Sequence, residues 1–305
     1  MPPPTLGAAG PPALTAGGGP GLSTPYAWRM STAARGLPAE GPGNGAHSTV
    51  VGPMLRSWRE RAGLSQLGLA LQAGSSSRHI SFIETGRSLP SRDMVLRLAE
   101  HLDVPVRERN ALLVSAGYAP HYPETPLDSP ALESLRADLE RMVSAYEPYP
   151  ALAVDGTYQV LAANRGISLL LDGVDGRLLE PPLNAMRITL HPEGLAPRIL
   201  NFREWRGHLL RQMERQLALL RSEALRSLYE EVTAFPVPPG GEESAGGDSP
   251  FALPMVIEHE GRRLSFLSTI TTFNTPVDVT VSELAVETFL PAGPETAKNL
   301  QLLMT

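Results

Sequence analysis

The side chains best placed to do chemistry in this chain fall within one short stretch, residues 64–87, LSQLGLALQAGSSSRHISFIETGR. Its polar set is Gln66, Ser76, Ser77, Arg78, Ser81 and Arg87, with Phe82 among them. A guanidinium is a rigid fork that bonds the O6 and N7 acceptors of guanine together, while hydroxyl and amide groups reach bases or phosphate oxygens. One chemistry open to such a set is recognition of a duplex edge. Arg78 is the candidate for guanine, Ser76, Ser77, Ser81 and Phe82 share its outward face, and Gln66 and Arg87 are candidates for phosphate on either side.

Presenting such a set takes two short crossed helices. Leu69, Ala70 and Ala73 form the inner face of the first, and Ala70 is small where a second helix must approach. Gly74 stands where the turn needs a positive φ. Ile80 and Ile83 continue the inner face on the second helix, and Ser75, Ser76 and Ser77 each offer an N-cap. This layout is a helix-turn-helix, which also occurs in proteins that never touch nucleic acid. Residue types at fixed offsets carry more. Gln66, Leu69-Ala70, Ala73-Gly74, Ile80, Glu84, Gly86 and Pro90 after Arg87 resemble the phage-repressor-like regulators of the XRE family. Just upstream, LRSWRERAGLS sets Arg59 where that family often has an arginine paired with the glutamate at the position of Glu84. The resemblance implies binding to a double-stranded DNA operator, with Arg59 and Glu84 holding helices together. Two departures weaken the pattern: Ser75 replaces a usual valine, and Gly68 costs roughly 1 kcal/mol against alanine in a regular helix.

The surrounding periodicity predicts three more helices. Leu55, Trp58, Arg59 and Ala62 form one that stops at Gly63. Ser91 caps another bearing Val95, Leu98, Ala99 and Leu102, and Pro105 opens a last one bearing Val106, Leu112, Leu113 and Ala116 and closed by Gly117. Residues 51–118 are thus expected to be an all-α five-helix DNA-binding domain of the lambda-repressor-like kind.

Composition sets bounds around this module. A length of 305 residues suits two domains, and 42% hydrophobic content is enough for cores. With no cysteine there is no disulfide frame and no thiolate chemistry. The net charge is −6, but residues 51–118 hold nine arginines against six acids, while residues 119–305 are strongly acidic. Positive charge is concentrated on the module, which favours one docking face over non-specific wrapping. Residues 1–50 contain ten Gly and nine Pro and are expected to be a disordered tail, or in part an artefact of a start at Met1 instead of Met30. That tail lacks an apolar signal-peptide core, and no later run approaches about 20 apolar residues, so no membrane partner and a cytoplasmic location are expected.

Residues 119–130 are Pro-rich and read as a stiff linker holding two domains at a defined distance. Residues 131–305 read as an α+β domain. A helix from Ser129-Pro130 carries Leu132, Leu135, Leu139, Met142 and Val143, and a hairpin follows around Asp155-Gly156. A helix from about Asn164 to Leu171, a Pro-interrupted stretch and a long helix from about Arg203 to Ala234 come next. The polar loop 236–250 then leads to strands in PMVIEH, RRLSFLSTITTF and around LAVETFL, with turns at Glu260-Gly261 and Asn274-Thr275-Pro276. This order is that of a PAS-like domain, an antiparallel sheet with one face covered by helices. EPYPALAVD, VLAANRG, LLEPPLNAMRITLHPEGLAPRILNFREWRGHLLRQMERQ and TFNTPVDVTVSELAVETFLPA resemble the C-terminal domain of MmyB-like regulators.

That resemblance implies a small apolar ligand, fatty-acid-like, in a PAS-like cavity, with no other cofactor. Asn164, Arg187, His191, Trp205 and His208 are the polar or aromatic groups embedded in apolar surroundings. Arg187 is the candidate counter-ion for a carboxylate head group, and Trp205 and His208, at i and i+3, share a helix face. Each also has a plain structural role open to it, such as an Arg187–Glu204 pair. A domain that serves only as an interaction scaffold stays open as well. Catalysis is not expected. No histidines are spaced as in H-x-x-x-H, no G-x-S-x-G elbow occurs, and the glycine runs at 17–19, 240–241 and 246–247 lack phosphate-loop context. One module covers a half-site, so a homodimer is expected.

Overall fold

The computed structural model describes residues 50–238 and 252–304. The tail 1–49 and most of the 236–250 loop lie outside the described residues, so the expectations for them are not addressed.

The N-terminal unit consists of α1 (Val51–Arg61), α2 (Gln66–Gln72), α3 (Ser77–Glu84), α4 (Arg92–His101) and α5 (Val106–Ser115). Their starts follow from local chemistry. The hydroxyls of Ser65, Ser76 and Ser91 accept the backbone N–H of Gly68, His79 and Met94, each satisfying a donor that the helix leaves unpaired. Of the three candidate serines, Ser76 is therefore the cap of α3. Gly68 lies in the first turn of α2, where its N–H donates to the Ser65 hydroxyl oxygen at 3.0 Å. The core holds Leu55, Trp58, Leu69, Ala70, Ile80, Ile83, Leu98, Leu112 and Leu113, as the periodicity implied. Ala70 and Ile80 are both 1% exposed, and Gly74 has φ +60. The close approach of α1 to α3 depends on a residue that periodicity passes over. A Cβ on Gly52 would stand 2.5 Å from the Ile83 carbonyl oxygen.

The C-terminal unit is built on a five-stranded antiparallel sheet of β1 (Ala151–Val154), β2 (Val160–Ala163), β3 (Met255–His259), β4 (Arg262–Thr272) and β5 (Ala285–Pro291), in the order β2-β1-β5-β4-β3. Strand alternation sorts its faces. Leu152, Val154, Met255, Ile257, Leu264, Phe266 and Phe289 look into the main core, where they meet α7 (Arg165–Leu170), α8 (Ala185–Leu190), α9 (Phe202–Leu219) and α10 (Glu223–Thr233). Ala151, Ala153, Ala162 and Val286 look the other way and pack under Leu139 and Val143 of α6 (Glu133–Ser144). Both faces are covered, not one, and Met142 of α6 is exposed, contrary to its expected place on the buried stripe.

The single long helix expected over 203–234 is instead the pair α9 and α10. Leu220 turns extended (ψ 136) and the Ser222 hydroxyl restarts a helix by accepting Leu225 N–H, a cap signal hidden inside a continuous apolar period. The two helices run antiparallel: Tyr229 donates to Glu214 and the Arg206 guanidinium to the Thr233 carbonyl. Three further helices fell in stretches that read as irregular or ended in strand. α8 starts at Asn184, whose side chain caps Met186 and Arg187, and α11 (Val279–Ser282) starts at Asp278, capping Val281. α12 (Pro294–Leu303) places Leu300 in the main core.

The expected spacer is strapped to both units. Asn110 holds the backbone of His121 and Tyr122, while the Thr125 hydroxyl donates to Asp278 at 2.6 Å and Val279 N–H to the Pro123 carbonyl at 2.8 Å. The units also touch directly. Arg107 of α5 donates twice to Glu283, at 2.6 and 2.9 Å, the buried Glu108 accepts the Arg221 N–H, and Arg61 of α1 donates to the Ala218 carbonyl at the end of α9.

Candidate nucleic-acid interface and ligand-binding domain

The scaffold of the candidate DNA-reading face rests on one buried ion pair. Arg59 and Glu84 are 8% and 6% exposed and bonded through two parallel contacts, Nε to Oε1 at 2.6 Å and Nη2 to Oε2 at 3.0 Å. The remaining guanidinium nitrogen donates to the Leu64 carbonyl at 2.7 Å. The hydrogen bonds that Arg59 donates to Glu84 raise the guanidinium pKa further. α1 is thereby pinned to the end of α3 and to the α1–α2 turn, with the pairing and the structural role expected for these two residues.

On this support Ser77 and Arg78 are exposed at the first turn of α3, and Ser81 and Phe82 are half-buried one turn later. Ser76 is exposed, but its hydroxyl oxygen accepts the His79 N–H at 3.2 Å, leaving its proton to donate. Ser75, at the usual valine position, bonds His79 Nδ1 at 3.2 Å, so a polar contact stands in for the apolar one. Arg87 follows the helix and is exposed. Its N–H donates to the Phe82 carbonyl at 2.8 Å. The structure brings Ser76, Ser77, Arg78, Ser81, Phe82 and Arg87 together on α3 and its immediate end. Gln66 stands beside them at the start of α2, where its amide nitrogen donates to Glu84 Oε2 at 2.9 Å. One N–H of that amide engages the ion pair, and the second is left to donate to phosphate.

The five residues singled out in the second unit do not converge. Asn164 is a structural polar core: its amide donates to the Val143 and Tyr149 carbonyls, and its oxygen accepts Ala151 N–H and caps α7. Arg187 is paired through two bonds with Glu231, at 2.7 and 2.8 Å, and not with Glu204. It borders a small cavity of about 150 Å³ shared with Gln159, Asn184 and Leu228. His191 Nδ1 accepts the Glu193 N–H and its ring meets Phe235 edge-on. Trp205, 2% exposed, is a core residue on which His208 stacks at 5.3 Å, so these two do share a face. Burial and the nearby Arg211 and Arg215 push the His208 pKa down.

Sequence reasoning missed the polar groups that do face the main core. Glu287 pairs across the sheet with Leu152 and Ile270, and so lies on the inner face. It accepts the Ser268 hydroxyl at 2.6 Å, and burial pushes its carboxyl up. Tyr158 is 6% exposed, accepts from Gln212 at 3.4 Å, and is pushed up to about 12 by burial. The signal was available in AVETFL: period-two alternation sets Glu287 beside Ala285 and Phe289, on the buried side.

Comparison with known proteins finds matches to both units. A family model described as the MmyB-like transcription regulator ligand binding domain matches residues 135–303, and one described as a helix-turn-helix domain matches residues 51–112. A protein of Methanoculleus marisnigri, designated an HTH-type transcriptional regulatory protein, is 35% identical over 124 residues; the match spans 39% of this chain and 39% of that protein's length. Among solved structures, the restriction-modification controller protein C.AhdI of Aeromonas hydrophila is 34% identical over 21% of this chain and 93% of its own, with a TM-score of 0.20. The clp gene regulator ClgR of Corynebacterium glutamicum is 24% identical over 35% of this chain and 99% of its own, with a TM-score of 0.22. With one model covering more than half its length and a helix-turn-helix domain ahead of it, the chain belongs to the MmyB-like transcription regulators.

Proposed function

We propose that the chain is a ligand-responsive regulator in which α3 enters the major groove of a duplex operator and residues 131–305 bind a small apolar, fatty-acid-like molecule. What carries the DNA half is the exposed polar start of α3, Ser77 and Arg78, on a frame fixed by the buried Arg59–Glu84 pair. Arg78 reads guanine, Ser77 and Ser81 reach bases or phosphates, and Arg87 holds phosphate. Gln66 acts as a brace for Glu84 first. The protein works as a homodimer on a near-palindromic site in the cytoplasm, and it is not an enzyme. What supports the ligand half is the family of the second unit, together with an apolar core into which a few polar groups project.

Communication between the halves has a physical route in this reading. α9 carries Trp205 in the ligand-domain core at one end and at the other accepts Arg61 of α1, while the neighbouring Arg221 N–H is held by Glu108 of α5. A ligand that shifts α9 therefore pulls on α1, which packs against α3, and on α5, which packs against α1.

The DNA assignment is tested on a duplex selected from a random pool. Arg78→Ala should lose about 1–3 kcal/mol of discrimination at one base pair while binding unrelated duplexes almost as before. Arg87→Ala should weaken all sequences alike. Identical profiles for the two variants reject the division of roles.

A second reading, an interaction scaffold with a filled core, is favoured by one observation. Arg187 is already neutralised by Glu231, and the cavity beside it is about 150 Å³, below the roughly 300–1,000 Å³ of ligand pockets. Native mass spectrometry of protein purified without lipid removal separates the two. A co-purifying apolar molecule supports the sensor, and an empty, stable protein supports the scaffold.

A further inference from the structure

Phe82 occupies an unusual place on the reading face. The Arg78 guanidinium lies 5.3 Å from its ring centroid and that of Arg87 5.9 Å. Arg78 reaches the ring from one turn earlier on the same helix face, at i and i+4. Arg87 reaches it from beyond the helix, because the chain reverses at Gly86 (φ +72) and the Arg87 N–H closes onto the Phe82 carbonyl. Among the described residues neither arginine has a carboxylate partner, although acids are common in this chain. Among the described residues the Phe82 ring is the group that both cations share, and it lies within the cation–π range of each.

We infer that Phe82 is a positioning residue for DNA recognition: its ring holds Arg78 and Arg87 as a preset pair in the free protein, and it is not itself the principal base contact. The inference rests on the reading of α3 as the recognition helix. Long arginine side chains ordinarily lose their rotamer freedom when they bind, at a cost of roughly 2- to 12-fold in affinity for each. A ring that limits that freedom beforehand removes the cost from the binding step. Pairing them also sets the distance between a base-reading fork and a phosphate-binding one, so a register shift on the duplex loses both contacts together. A serine or leucine at position 82 would leave two arginines searching independently.

The test uses the full chain and a duplex recovered by selection with the unsubstituted protein. Phe82→Leu keeps an apolar side chain of similar bulk but no π face, and Phe82→Tyr keeps the face. Thermal unfolding of both should match the parent, since Phe82 is only half-buried. Phe82→Leu should weaken operator binding roughly 5- to 150-fold, the product of the two ordering costs. The slope of log affinity against log salt should stay unchanged, because Arg87 still reaches phosphate, and Phe82→Tyr should restore affinity to within about 3-fold on the same scale. Parent-like affinity of a folded Phe82→Leu overturns the inference, as does a slope reduced by about one phosphate, or a loss confined to a single thymine position, which would make Phe82 a direct base contact. Arg78→Ala is measured in parallel. If it too binds like the parent, the recognition-helix reading has failed; if it weakens binding while Phe82→Leu does not, only the positioning role has.

Discussion

Removing Glu84 is the perturbation whose size the structure constrains best. Breaking one side of a buried ion pair leaves an uncompensated charge and typically costs about 3–5 kcal/mol. Here the Arg59 head would keep its bond to the Leu64 carbonyl at 2.7 Å and a longer contact to Glu60 at 3.6 Å, so the lower end, about 3 kcal/mol, applies to Glu84→Ala. The loss also frees the Gln66 amide, which donates to the same carboxylate. Replacing both partners by apolar residues, Arg59→Met with Glu84→Leu, removes the charge and its desolvation together and should fall within about 1 kcal/mol of the parent. Whole-chain melting would mix two units, so the assay is hydrogen exchange read by mass spectrometry on peptides from 51–85. At 1.4 kcal/mol per factor of ten, Glu84→Ala should lower protection there by about 150-fold, and the double variant by less than about 5-fold. Peptides of the sheet should not change. Glu84→Ala protection within 5-fold of the parent, or a double variant worse than either single one, would refute the argument that this pair is what fixes α1 on α3.

Three further outcomes follow from other contacts. Gly52→Val should separate α1 from α3, because its Cβ would meet the Ile83 carbonyl oxygen at 2.5 Å; a loss of about 1–3 kcal/mol is expected in urea unfolding, with weaker DNA binding. Glu283→Arg should repel Arg107 and open the contact between the two units without unfolding either, seen as a larger radius of gyration in solution scattering with unchanged protection inside both cores. Glu287 has its carboxyl raised by burial, so its native form favours the proton. Its contribution is present at acid pH below the ordinary carboxylate range and is lost as pH rises through the raised value. Glu287→Gln should therefore flatten the fall in stability of the sheet domain between acid and neutral pH, and an unchanged pH profile of unfolding would show that the carboxyl is not the group responsible.

Much of the N-terminal unit was legible residue by residue because its determinants are local. Serine caps at 76 and 91, the glycine at 74 and the 3.6-residue period act within a turn or two of themselves, while the Arg59–Glu84 pair was implied by the family resemblance. The strands were legible for the same reason: alternation and the Glu260-Gly261 turn need no distant partner, and both those residues indeed take positive φ. The α9–α10 break was not, since Ser222 interrupts an apolar period that continues in phase on either side. Nor was the fate of the polar candidates. Arg187 finds Glu231 from 44 residues away, and Gln66 finds Glu84 from 18.

The amino-acid sequence alone thus determined the helix that presents Arg78 and the two-unit order, which rest on short-range periodicity and backbone capping, and the kind of module, which rests on residue types at fixed offsets. Tertiary structure alone decided which charged groups are spent on one another, which polar groups face the inner sheet, and how α1 and α5 are tied to α9. Those outcomes depend on distances between segments remote along the chain, and such distances are set only when the cores close.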